Sequence, residues 1–206
     1  MCFVPNFLNL SSMRRHLRKQ TRPAHDALDA LMRDDGWHTP ERYGEFLLCQ
    51  YAARRPLDEW AKRHLPAAQR PPEQTSLLQA DLDALGMRDQ ISAVDHLVAE
   101  MAQPQFELPR AALPLGLAWA LAGSSLGNKA ILGELRGSEA QNWPRAFLTD
   151  PAMSEFWRAL LPQLEEAKTQ GDYDAAALAA NHVFAHFARM VKIVRASYPA
   201  RTNAFA

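Results

Sequence analysis

Apolar residues recur at helical spacing along nearly the whole of this 206-residue chain. No segment shows a run of apolar–polar alternation rich in β-branched residues, the pattern that predicts a half-buried β-strand. The pattern therefore predicts an all-α fold. A chain of this length with 48% hydrophobic residues can bury one core in a single domain. We expect an N-terminal arm over residues 1–10, a helical domain over 11–198 and a C-terminal tail over 199–206.

Capping residues and prolines divide this helical pattern into elements. The first helix is predicted to follow Ser11 or Ser12 and to run to about residue 32. The second is predicted over 40–64, with Thr39 as N-cap and Pro40 at the first helical position. Further helices are predicted over 74–85, 92–101, 111–135, 150 to about 171, and 173–197.

Charge and cysteine content exclude several classes of protein. Lys plus Arg and Asp plus Glu both total 23, so no net charge is available to hold a nucleic-acid backbone. The only cysteines are Cys2 and Cys49, too few for a disulfide framework, and this favours a reducing compartment such as the cytoplasm. The apolar start precedes the first basic cluster, the reverse of a signal peptide, and no apolar stretch reaches the roughly 18 residues of a membrane span. Residues 1–10 are then a packed or frayed arm, with an amphipathic anchor as the alternative.

A histidine near the N-terminus is placed to point into the protein. Thr21 and His25 are spaced i,i+4 and share a helix face, which Leu28 continues toward a core. Pro23 lies between them, so either the helix bends just before His25 or Thr21 caps a helix that restarts there. On position alone, His25 is a structural residue about as often as a ligand.

Two glycines interrupt a later segment that otherwise favours helix. Gly123 and Gly127 are also spaced i,i+4, and each costs about 1 kcal/mol relative to alanine inside a helix. A stripe without Cβ atoms suits either a flat ligand that approaches the backbone or a helix that packs unusually close. Together with His25, these glycines suggest the two sides of a haem slot.

The other histidines do not form a convincing metal site. His182 and His186 are spaced i,i+4, but the chain has neither Glu-x-x-His nor His-Glu-x-x-His. A di-iron bundle and a zinc hydrolase are therefore disfavoured. Solvated or otherwise ordinary positions are expected for the rest, namely His16, His38, His64 and His96.

If His25 binds haem iron, its second ring nitrogen needs an acceptor. Asp29, one turn on, is the nearest candidate, although a solvated carboxylate is an equal reading. Residues 118–131 contain no His, Cys, Met or Tyr that could be a second axial ligand, so the sixth position would be open to oxygen. Ser124 and Ser125 could order water there, or could bond only to the preceding helical turn.

Cations are needed near the two haem propionates. Arg18 lies seven residues before His25, two turns away on the same face. Lys192, Arg189 and Arg195 on the last helix are weaker candidates, because each is more often a surface charge.

Two segments carry a resemblance to a known family. Residues 17–29, Leu-Arg-Lys-Gln-Thr-Arg-Pro-Ala-His-Asp-Ala-Leu-Asp, are similar to the proximal-helix pattern of bacterial haem oxygenases, the biliverdin-producing kind often found beside phytochromes. Residues 121–127, Leu-Ala-Gly-Ser-Ser-Leu-Gly, resemble the distal-helix motif of the same family. Weaker similarities follow in family order over residues 42–47, 55–58, 81–86 and 187–189.

The resemblance implies a haem oxygenase-like helical bundle in which haem, both cofactor and substrate, lies between a proximal and a distal helix. The enzyme would be an oxidoreductase that uses dioxygen and electrons from a ferredoxin or a reductase to open haem to biliverdin, with release of CO and ferrous iron. His25 would bind the iron, and Gly123 and Gly127 would let the distal backbone press on the ring and direct attack to one meso edge. No nucleic acid or membrane partner is implied. With the residues argued above, the predicted site comprises Gly123, Ser124, Gly127 and Asn128 on the distal side, and Arg18, Thr21, His25, Asp29, Trp119 and Lys192 around the haem.

Three positions depart from the family pattern. Trp119 stands where Tyr is common, Ala122 where Glu is usual, and Asn128 where a second Gly is common. Two alternatives to the enzyme follow: a haem-binding sensor or carrier that does not degrade its ligand, and a haem-free protein that uses the cavity for another small molecule.

Overall fold

The computed structural model of the protein describes residues 12–33, 39–101, 106–135, 142–166 and 168–197. Within these ranges the chain is helical and contains no β-strand, which confirms the predicted all-α fold class. The predicted arm over 1–10 and tail over 199–206 lie outside the described residues.

The described part of the chain consists mainly of α-helices. In chain order they are α1 (Met13–Arg33), α2 (Pro40–His64), α3 (Thr75–Ala84), α4 (Arg88–Ala99), α5 (Pro114–Glu134), α6 (Ala146–Thr149), α7 (Ala152–Glu165) and α8 (Gln170–Ser197), with a turn of 3-10 helix at Ala67–Gln69. Thr39 caps α2 as predicted, since its Oγ1 accepts a hydrogen bond from the backbone N–H of Arg42 at 3.3 Å.

Two helix boundaries differ from the sequence prediction by more than three residues. Helix α4 begins at Arg88 rather than near 92, immediately after the chain turns at Gly86, whose φ of 74° suits glycine. Helix α7 ends at Glu165 rather than near 171. The chain turns there because Thr169 and Asp172 form a reciprocal cap that starts α8 at Gln170: the Thr169 hydroxyl donates to Asp172 at 2.8 Å and accepts from its backbone N–H at 3.2 Å.

Helix α8 is the centre of the structure, and α1, α2 and α5 all pack along it. The start of α5 lies directly on the α8 backbone, where the N–H of Leu113 donates to the carbonyl of Ala175 at 2.9 Å. Gly116 makes this approach possible, because a Cβ at that position would overlap the carbonyl oxygen of Ala176.

Helix α1 continues through Pro23 without a restart, so the alternative in which Thr21 caps a new helix is wrong. Thr21 is instead buried against the core, and its hydroxyl donates to the carbonyl of Leu17 at 2.9 Å. Pro23 and Lys19 are both exposed, so water can satisfy the Lys19 carbonyl that the proline leaves without a helical partner.

Of the paired histidines of α8, His186 is buried in the core and His182 is half-buried. His186 is buried, with Nε2 3.0 Å from the carbonyl oxygen of Ala53, and His182 lies against the ring of Phe106. No group of three potential metal ligands from His, Cys, Asp and Glu comes together in the described residues. In the same ranges, no helix combines the length and the apolar character needed to cross a membrane.

His186 should make the protein less stable in acid. Burial lowers the pKa of His186 to about 4, against 6.5 for a free side chain, so the unfolded chain binds more protons between these values. His186 then supports full stability above about pH 6.5 and progressively less toward pH 4, a loss of about 3 kcal/mol at 1.36 kcal/mol per pKa unit. Urea unfolding of wild type and of His186→Gln at several pH values measures this contribution. A variant with the same pH dependence as wild type would contradict it.

Candidate functional site

Helices α1 and α5 lie on either side of α8 and run in the same direction along it. On the α1 side, the amide of Asn181 donates to the carbonyl of Gln20 at 3.5 Å, and further along Arg195 donates to that of Leu31 at 2.6 Å. Within the described residues, α1 and α5 make few or no direct contacts with each other. We call the region over α8 between His25 of α1 and the glycines Gly123 and Gly127 of α5 the α1–α5 gap. Helix α7 packs against both α1 and α5, and its Trp157 lies beside Gly123.

His25 stands on the α1 side of this gap. Its ring meets the ring of Phe184 of α8 edge-on, with 5.7 Å between the centroids, and 51% of its side chain is exposed. Asp29 Oδ2 lies 3.4 Å from His25 Nδ1. A carboxylate at this nitrogen favours the tautomer with the proton on Nδ1, which leaves Nε2 as the atom that can bind a metal.

Trp119 stands on the α5 side and contacts the same phenylalanine. Its ring lies edge-on to Phe184 with 6.5 Å between the centroids. The indole Nε1 of Trp119 is buried and has no hydrogen-bond partner among the described residues. A buried N–H without an acceptor is costly, so this atom is suited to a ligand that brings an acceptor.

No close contact with another helix requires glycine at these two positions of the gap. A Cβ at Gly127 would meet no atom within 4 Å, and one at Gly123 would meet only the ring of Trp157, at 3.9 Å. Gly116 differs from both because α8 occupies the place of its side chain. Beside Gly127, Leu126 is 52% exposed.

The two serines between these glycines already donate their hydroxyl protons in hydrogen bonds. Ser125 is buried and donates to the carbonyl of Ala122 at 2.7 Å, so it bonds only to the preceding helical turn. Ser124 donates in the same way to Leu121 at 2.7 Å, but its oxygen also accepts a hydrogen bond from Arg54 Nη2 at 2.6 Å. Each hydroxyl can therefore accept a further hydrogen bond more readily than it can donate one.

Three further predicted site residues lie at two different ends of the gap. Arg18 precedes His25 along α1 and Trp119 precedes Gly123 along α5, so both lie toward the N-terminal end of the gap, whereas Lys192 follows Phe184 by about 12 Å along α8. Helix direction therefore brings Arg18 and Trp119 to one end and Lys192 to the other.

Three other candidates are placed less directly. The hydroxyl of Thr21 is occupied by Leu17 in the core, and Arg195 is held by Glu45 at 2.7 Å. Asn128 is half-buried on α5, next to Gly127.

Arg54 was not predicted as a site residue. It lies on α2 with 1% of its surface exposed and reaches α5 through Ser124. The sequence does contain a signal, because Arg54 follows Leu47 by seven residues and Tyr51 by three, which places a charge within an apolar stripe.

A separate cavity of about 720 Å³ opens between α2, α3 and α4. It is lined mainly by charged side chains, among them Arg55, which forms ion pairs with Glu59 and Asp95. Its lining contains no His, Cys or Met, and burial raises the pKa of Tyr51, whose hydroxyl donates to Asp95 at 3.2 Å. This cavity does not suit an apolar ring that needs a metal ligand.

No protein-family model matches this chain, and no curated protein is detectably similar to it in sequence. Family membership is therefore not shown. Function has to be inferred from the arrangement of α1, α5 and α8.

Proposed function

We propose that the protein binds haem in the α1–α5 gap and opens its ring to biliverdin, with release of CO and ferrous iron. One observation carries the proposal: His25 of α1 and Trp119 of α5 contact the same ring of Phe184, and on α5 the Cβ position of Gly127 has no atom within 4 Å. A metal ligand that faces a smooth backbone surface suits a flat ligand with a metal at its centre. The proposed fold is accordingly a haem oxygenase-like bundle, with α1 as proximal and α5 as distal helix.

The residues at the gap fit haem in three respects. Asp29 leaves His25 Nε2 available for iron. Gly127 has no atom within 4 Å of its Cβ position, so a macrocycle can approach the backbone there, and the unpartnered N–H of Trp119 can donate to a propionate. When bound, haem is the substrate and also supplies the iron at which dioxygen reacts.

The chain's own groups then have distinct tasks. His25 would hold the iron through Nε2, and Asp29 would keep the second ring proton at Nδ1. Gly123 and Gly127 bring the α5 backbone against the ring and limit the orientations in which it can lie. The free lone pair of Ser124 can orient a water molecule on this side, since the hydroxyl proton is used by Leu121.

The propionates are proposed to lie toward Arg18 and Trp119. A carboxylate there would accept the Trp119 N–H and lie near the Arg18 charge. Lys192 is not included, because it lies at the opposite end of the gap.

Trp119→Phe is expected to weaken hemin binding by at least about tenfold. The change keeps an aromatic ring beside Phe184 but removes the N–H, and a hydrogen bond to a charged group contributes about 1.5–3 kcal/mol. Hemin titrations of the two proteins measure the difference. Trp60→Phe is the control, because the Trp60 N–H donates to Glu107 at 3.1 Å outside the gap. Equal dissociation constants for wild type and Trp119→Phe would contradict the propionate assignment.

The proposed activity is tested by adding one equivalent of hemin and then a ferredoxin system or ascorbate in air. The enzyme is expected to form a Soret band that decays as the broad red absorption of biliverdin appears. The absence of a Soret band would contradict haem binding.

A haem sensor or carrier on the same scaffold is the second candidate. It is favoured by the hydroxyl protons of Ser124 and Ser125, which both bond to carbonyls of their own helix rather than to the gap. A stable Soret band under reductant in air would support this function against the oxygenase.

A further inference from the structure

Arg54 is a fully buried charge that connects α2 to the glycine segment of α5. Its Nη2 lies 2.6 Å from Ser124 Oγ and 3.5 Å from the carbonyl oxygen of Leu121. The guanidinium carbon lies 5.7 Å from the ring centre of Phe147 and 5.9 Å from that of Phe187. Two aromatic faces and one turn of α5 thus surround the cation.

Stability does not explain a charge at this position. Nε and Nη1 of Arg54 are buried without hydrogen-bond partners, and no ion pair with a carboxylate compensates the charge in the described residues. Burial lowers the pKa of Arg54, and the more distant charge of Asp58 offsets this only in part. Replacing such a buried charge by an apolar side chain of similar volume is often neutral or stabilising.

Both hydrogen bonds of Arg54 end on one turn of α5. That turn, Leu121 to Ser124, includes Gly123 and comes directly before Gly127. Glycines have no side chain to hold this part of α5, since the Cβ position of Gly127 has no atom within 4 Å and that of Gly123 has only the Trp157 ring, so a rigid planar donor from α2 supplies what the glycines cannot. Ser125 bonds only within its own helix and cannot do this.

We propose that Arg54 is a positioning residue for the α1–α5 gap: it fixes the turn of α5 that contains Gly123, and so sets how the α5 backbone meets the ring of bound haem. The proposal rests on the proposed function for its consequence, which is the choice of the meso edge that is opened. Arg54 acts through Ser124 and Leu121 and does not touch the ligand itself.

Four variants test this role. Arg54→Met keeps most of the volume and removes the charge and the donors, Arg54→Lys keeps the charge without the planar fork, and Ser124→Ala removes the acceptor. Arg55→Met is the matched control on the same helix, because Arg55 pairs with Asp95 and Glu59 rather than with α5. Amide hydrogen exchange and urea unfolding are measured without hemin, and hemin affinity and the distribution of biliverdin isomers with it.

Arg54→Met is expected to unfold at no lower urea concentration than wild type, while amides 121–128 exchange at least about tenfold faster and the isomer distribution shifts. Ser124→Ala should reproduce the shift, Arg54→Lys should show part of it, and Arg55→Met should show neither effect on α5. Unchanged exchange at 121–128 in Arg54→Met would overturn the positioning role, as would an unchanged isomer distribution. If wild type binds no hemin, the proposed function fails, and the exchange data still decide whether Arg54 fixes α5.

Discussion

His25→Ala is expected to abolish the Soret band of the hemin complex and to weaken hemin binding by more than about 100-fold. His25 is the proposed iron ligand, and loss of a residue that merely supports a metal ligand already costs 10–100-fold in affinity. Biliverdin formation should fall with binding. The free energy of unfolding should change by less than about 0.5 kcal/mol, because half of the His25 side chain is exposed and its contacts are few. Hemin titration and urea unfolding measure the two quantities.

The chain offers a close control for this substitution. His96 lies on α4 and faces Glu100 at 3.1 Å, so it repeats the i,i+4 histidine–carboxylate pair of His25 and Asp29 on a surface away from the gap. His96→Ala should bind and convert hemin like wild type. The assignment of His25 is wrong if both alanine variants retain the Soret band.

Gly127→Leu is expected to weaken haem binding without lowering the stability of the protein. No atom lies within 4 Å of the Cβ position, and leucine is a better helix former than glycine by roughly 0.8 kcal/mol, so unfolding should require the same or more urea. The new side chain would occupy the space proposed for the macrocycle. Hemin affinity should therefore fall by at least about fivefold, since overpacking a fitted site costs about 1–3 kcal/mol, and any remaining product should show a different isomer distribution.

Gly133→Leu is the matched control on the same helix. A Cβ at Gly133 also meets nothing within 4 Å, but six residues of helical rotation point it about 120° away from Gly127. This variant should gain the same stability without any change in hemin binding. Equal effects of the two leucines on hemin affinity would show that the open space at Gly127 is not a ligand site.

Local spacing predicted much of the helix pattern. Thr39 and Pro40 identified the start of α2, because capping depends on residues a few positions apart. The boundary between α7 and α8 also has a local signal in the sequence, the Thr169 and Asp172 pair. The continuity of α1 through Pro23 was harder to foresee, because it depends on the packing of Thr21 against the core.

The candidate site could be predicted only where its geometry is local. His25 with Asp29, and Gly123 with Gly127, are i,i+4 pairs that any helix brings together. The separation of Lys192 from Arg18 depends on α1 and α8 running in the same direction, which the sequence does not encode locally.

Arg54 and Ser124 are 70 residues apart, so only the packing of α2 against α5 reveals their hydrogen bond. The same holds for Gly116. It looks like the later glycines in the sequence but serves the contact with α8 rather than the gap.

The central claim is that haem lies between His25 and the two α5 glycines. A crystal structure of the protein with bound hemin tests it most directly. We predict iron bound to His25 Nε2, one face of the porphyrin against Gly123 and Gly127, and a propionate that accepts the N–H of Trp119. Hemin in the polar cavity between α2, α3 and α4, or iron without His25 as ligand, would contradict the account.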